Sequence, residues 1–134
     1  MSVSTVFAGT EKIADARDLA RAFLADLRTS HGLPVSGRAV DTVELVVSEL
    51  VTNARKYAPG PYSLTLAVRD TSVEVSVWDS SPTPPSILAA DPLRVGQHGL
   101  EIVMAAAHRF QVSQESAGKR ITAAIPMTDG PGDA

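Results

Sequence analysis

The chain has 134 residues, a net charge of −3 and no cysteine. One domain of that length can bury a real core, and the missing cysteines exclude both a disulfide framework and a thiolate metal site. No apolar run approaches the roughly 18 residues of a membrane span, no basic stripe suits nucleic acid, and the first residues lack the basic-then-apolar order of a secretory signal, so the expected setting is the cytoplasm.

Residues 3–7 alternate and read as an edge strand. Ile13, Ala16, Ala20, Phe23, Leu24 and Leu27 then recur at helical spacing, which predicts a helix over about 11–30 with Thr10 as its N-cap. Gly32, Pro34 and Gly37 interrupt it, and a second helix runs from about 36 to 57, where Pro59, Gly60 and Pro61 end it.

This second helix carries the first chemical signal. At about 100° per residue, Val43, Val47, Leu50 and Ala54 share one apolar face, with Val46 and Val51 on its borders. Glu49, Asn53 and Lys56 form a strip beside that face, where a pocket wall would sit. A carboxylate and a carboxamide at i and i+4 can converge on one small target. Glu49 can take a proton, and Asn53 can offer an oxygen to a hard cation. An amphipathic helix with a solvated Glu and Asn is the competing account of the same residues.

Tyr62, Leu64, Leu66 and Val68, then Val73, Val75 and Val77, alternate with more polar residues around a tight connection at Asp70 and Thr71. This is a hairpin with one buried face. The same parity puts Asp79 on the buried side, which is costly for an unsatisfied carboxylate. Either Asp79 lies past the strand end, or it accepts hydrogen bonds inside a pocket.

Pro82, Pro84, Pro85 and Pro92 leave residues 80–95 without periodicity, and long irregular stretches of this kind often serve as lids or binding loops. Gly96 and Gly99 then open a helix containing Leu100, Ile102, Val103 and Met104; free amides at such a start favour anions. Phe110 and Val112, then Ile121, Ala123 and Ile125, mark two closing strands joined by a turn at Ala117, Gly118 and Lys119. Residues 127–134 are expected to be a disordered tail. His31, His98 and His108 show no metal-ligand spacing.

Three boxes in this order resemble the GHKL ATP-binding superfamily, and within it the small anti-sigma-factor serine/threonine kinases of bacterial partner switching. Residues 48–58 (Ser-Glu-Leu-Val-Thr-Asn-Ala-Arg-Lys-Tyr-Ala) look like the N box, residues 77–82 (Val-Trp-Asp-Ser-Ser-Pro) like the first glycine box, and residues 96–100 (Gly-Gln-His-Gly-Leu) like the second. The resemblance implies a single domain over 1–126 with a Bergerat-type fold: an α/β (α+β) two-layer sandwich whose mixed, largely antiparallel sheet carries helices on one face. It implies ATP and magnesium as ligands. Asn53 would hold the magnesium, Glu49 would be the general base, and Asp79 would accept from the adenine amino group. Gly96, Gly99 and the Leu100 amide would line the phosphates, Lys56 would approach one, and residues 80–95 would be the lid.

The implied partners are an anti-anti-sigma (STAS) protein as substrate and a sigma factor as inhibited target, with room for a homodimer. The sequence names neither partner, nor the stimulus. Ser80, Ser81 and Pro82 stand where the family carries glycines, which stiffens the lid hinge. Lys119 stands where the family often has a threonine, with Thr122 as the candidate to supply the hydroxyl. A P-loop is excluded, because Gly118 and Lys119 lack its upstream glycine and following Ser or Thr. Transducer-bearing ATPases and complete histidine kinases do not fit in this length. Alongside the kinase, two further readings remain: a nucleotide-binding switch without phosphotransfer, and an interaction domain with a degenerate pocket.

Overall fold

The computed structural model describes residues 1–58, 60–81 and 99–128. The elements run β1 (Ser2–Phe7), α1 (Ile13–Thr29), α2 (Gly37–Tyr57), β2 (Tyr62–Arg69), β3 (Ser72–Asp79), α3 (Gly99–Ala106), β4 (Arg109–Glu115) and β5 (Gly118–Pro126). The expected tail falls outside the described residues from position 129 on. So do Pro59, Gly96 and all of the expected lid beyond Ser81.

The strands form one sheet in the order β1-β2-β3-β5-β4, and every pairing is antiparallel. The expected α+β fold with a largely antiparallel sheet holds, and among the described residues every pairing is antiparallel. β1 joins β2, and β5 joins β3, antiparallel across longer connections; the other two pairings, β2–β3 and β4–β5, are hairpins and pair antiparallel for that reason. Asp70, at φ 55°, turns the first. The turn of the second is shorter than the sequence suggests. Gly118 and Lys119 already pair with Glu115 and Gln114, so both belong to β5.

Period-two patterning decides which face is buried. Tyr62, Leu64 and Leu66 of β2, Val73, Val75 and Val77 of β3, and Ile121, Ala123 and Ile125 of β5 are all at most 2 % exposed. Against them pack Ala16, Ala20, Leu24 and Leu27 of α1 and Val43, Val46, Val47, Leu50, Val51 and Ala54 of α2. Leu50 is fully buried in this layer, and truncating such a residue to alanine typically costs about 2–5 kcal/mol.

Helix α2 starts where Ser36 Oγ accepts from the Ala39 amide at 3.0 Å, a hydroxyl cap on an otherwise orphaned donor. Helix α1 has no such cap. Its N-cap is Lys12, without a side-chain hydrogen bond, in place of the expected Thr10. The polar work there falls to Glu11, whose carboxylate accepts from the amides of Ala8 and Gly9, each at 3.0 Å. Those amides, the Ala8 contact first, hold the Glu11 carboxyl below its usual value.

The registers place Phe7, Tyr62, Asp79, Lys119 and Gln114 in one row across the sheet, at one end of its buried face. The apolar half is closed by the stack of Phe7 on Tyr62, with ring centroids 5.3 Å apart. The charged half belongs to the candidate site.

Candidate functional site

Glu49 and Asn53 lie one turn apart on α2 and are both half-buried beside its apolar face. Helix α3 packs against this side of α2 and begins at Gly99. A Cβ built on Gly99 would stand 2.6 Å from Glu49 Oε2. Only a residue without a side chain lets the carboxylate rest there undisturbed. Gly99 thus meets Glu49 at a helix start, where the first amides have no intrahelical acceptor. Leu100 turns its side chain into the core, so it can face a ligand only through its backbone.

Asp79 closes β3 with its carboxylate on the buried face, in the row described above. One of its oxygens, Oδ1, accepts from the Ser81 amide at 2.9 Å and from Lys119 Nζ at 2.9 Å. The two charged side chains are 2 % and 3 % exposed. Removing both charges from water is expensive, and close, hydrogen-bonded pairing offsets that cost. Gly118 permits the approach. At φ 141° it lies so near β3 that an added Cβ would collide with the Asp79 carbonyl oxygen.

Thr122 is not at this site. It pairs with Ser76 across β3–β5, and their hydroxyls meet at 2.9 Å on the opposite face of the sheet. Odd and even positions of β5 point to opposite faces, so Thr122 cannot share a pocket with Lys119 three residues earlier. Its expected contribution is withdrawn. Lys56 follows Asn53 by three residues on α2. It is exposed, sits 5.3 Å from the centre of the Tyr57 ring, and lines a cavity of about 360 Å³ with Gly9, Ile13, Thr52, Arg55 and Gly60.

Sequence reading missed Lys119 as a site residue because it assigned the position to a turn. Part of the signal was available: counting back by twos from Ile125 through Ala123 and Ile121 puts Lys119 on the buried parity, while the register that sets it opposite Asp79 comes only with the fold. Among the described residues no group of three or more His, Cys, Asp or Glu could hold a metal. A cation here would depend on the Asn53 carboxamide and on oxygens brought by a ligand.

No curated protein is matched. The fold resembles the RsbU and RsbW domains of Rv1364c from Mycobacterium tuberculosis, with a TM-score of 0.67 at 18 % identity over 95 % of this chain. The chain spans 32 % of that protein. It also resembles the histidine kinase AdeS of Acinetobacter baumannii, with a TM-score of 0.50 at 17 % identity over 95 % of this chain and 68 % of that one. The family described as "Histidine kinase-like ATPase domain" matches residues 10–125. With Glu49, Asn53, Asp79 and Gly99 all inside that span, the chain belongs to the histidine kinase-like ATPase domain family.

Proposed function

We propose that this protein binds ATP with magnesium beside α2 and the start of α3, and that it is an anti-sigma-factor-type serine/threonine kinase acting in the cytoplasm. Its substrate is the hydroxyl of an anti-anti-sigma (STAS) protein, and its inhibited partner is a sigma factor. The family match and the RsbW-containing structural relative support this reading. The observation that carries it is the Glu49 carboxylate resting on Gly99 at the start of α3.

The residues present fit such a ligand. Gly99 leaves the helix start free of side chain, and Asn53 offers a neutral oxygen one turn from Glu49. Asn53 would hold the magnesium, the amides of Gly99 and Leu100 would face phosphate oxygens, and Asp79 would face the adenine amino group. Bound ATP and magnesium supply the phosphoryl group and neutralise its charge. Glu49 accepts the proton of the attacking hydroxyl. None of the helices among the described residues is long and apolar enough to cross a membrane, and the proposal involves no nucleic acid.

A second reading is a nucleotide-gated module that exchanges protein partners without phosphorylating them. It is favoured by the anchoring of Ser81 to Asp79, which ties down the chain where it leaves β3. Calorimetric titration of ATP with and without magnesium tests nucleotide binding. Transfer of labelled phosphate from ATP to purified STAS proteins separates the two readings. Binding without transfer to any of them favours the switch, and no binding at all leaves an interaction domain.

A further inference from the structure

Lys119 is buried, charged and held opposite Asp79 by the β3–β5 register. Stability alone gives a weak reason for this, since a buried ion pair replaced by apolar residues is often no less stable. What the pair offers is a pattern: an acceptor and a donor side by side at the end of the sheet.

Adenine presents the complementary pattern, with the 6-amino donor next to the ring N1 acceptor. Guanine presents the reverse at those two positions, an O6 acceptor next to an N1–H donor. An ammonium group has three donors, and the Asp79 contact uses one of them. Asp79 accepts from Lys119 and Ser81 through the same oxygen, Oδ1.

We propose that Lys119 is a second base-reading residue, donating to adenine N1 while Asp79 accepts from the 6-amino group. This rests on the reading of Asp79 as the adenine acceptor. The base edge is then read by a charged donor, and the Gly118 approach to β3 sets that donor in place. With Asp79 at the 6-position, guanine would turn O6 toward a carboxylate and be rejected.

The test compares ATP with 1-deaza-ATP, in which N1 is a C–H, by calorimetry with magnesium on wild type and on Lys119→Met. Wild type should prefer ATP by about tenfold or more, the usual worth of a hydrogen bond to a charged group. Lys119→Met should bind ATP more weakly, with the preference falling close to parity. Lys119→Gln guards against a folding failure: its amide can still donate to Asp79, but it is uncharged and too short to serve N1 as well. Its preference should fall in the same direction.

An unchanged preference in a folded Lys119 variant overturns the proposal. So does tighter ATP binding by Lys119→Met, which would make Lys119 an occupant that nucleotide must displace. If wild type treats the two nucleotides alike while Asp79→Asn loses ATP, the adenine pocket stands and the Lys119 role falls. If wild type binds neither, both fall.

Discussion

The Glu49 carboxylate lies against the backbone of Gly99, so close that a methyl group there would stand 2.6 Å from Oε2. Gly99→Ala therefore moves the proposed base without touching its chemistry. The added methyl meets only the flexible Glu49 side chain, and at the first position of α3 alanine brings only part of its helix-interior advantage over glycine. The melting temperature should hold or rise slightly. Phosphate transfer should fall by on the order of 100-fold, the scale of a 1 Å misplacement. Gly37→Ala is the control, because nothing lies within 4 Å of its added Cβ. Wild-type transfer by folded Gly99→Ala would detach Glu49 from the chemistry.

Gly118→Ala should act on stability instead. Its φ of 141° is strained for a side chain, and its Cβ would meet the Asp79 carbonyl. Overpacking of this kind costs about 1–3 kcal/mol. The urea midpoint should fall with the slope unchanged. A midpoint equal to wild type would mean that β5 can retreat from β3 freely, and that the approach of Lys119 to Asp79 is not set by this glycine.

Tyr62 is 1 % exposed, and its hydroxyl meets no hydrogen-bond partner among the described residues. Burial pushes its phenol above the ordinary value of 10.0; Arg55 opposes this, and Glu11 and Asp15 add to it. The folded state therefore favours the neutral phenol. That stability is fully present below pH 10 and is lost as pH rises through the raised folded value. Tyr62→Phe should match or exceed wild-type stability, by at most about 1–3 kcal/mol, since it removes an unsatisfied group. It should also remove this group's share of the alkaline loss. A variant destabilised at neutral pH would reveal a partner for the hydroxyl.

The strands and helices were legible wherever one periodicity ran uninterrupted. Val73, Val75 and Val77 announce a half-buried strand, and the strip of Glu49 and Asn53 beside Val46 follows from helical spacing alone. The β4–β5 turn misled because a glycine beside a lysine is ordinary turn chemistry. Here the glycine serves a close approach between strands, and the lysine is paired and buried. Pairing partners are set by register, which one strand's sequence does not contain. That is why Asp79 was readable as a buried carboxylate while its partner was not; Thr122 is a different case, since its place between the buried Ile121 and Ala123 already puts its hydroxyl on the other face.

Glu49 and Asn53 should fail in different ways, and that difference is the sharpest test of the proposed chemistry. Glu49→Gln keeps the shape and one acceptor but cannot take a proton. Transfer to a STAS partner should drop by about 10²–10⁴-fold, the usual loss of a general base. ATP affinity should be nearly unchanged, because Glu49 is assigned to the attacking hydroxyl. Asn53→Ala removes the oxygen assigned to magnesium. ATP affinity measured with magnesium should fall toward the value measured in EDTA, while the metal-free value stays put. Both side chains are half-buried on α2, so thermal melts should show little change and global unfolding can be set aside. Equal transfer by Glu49→Gln and wild type would remove Glu49 as the base. An intact magnesium effect in Asn53→Ala would move the metal elsewhere.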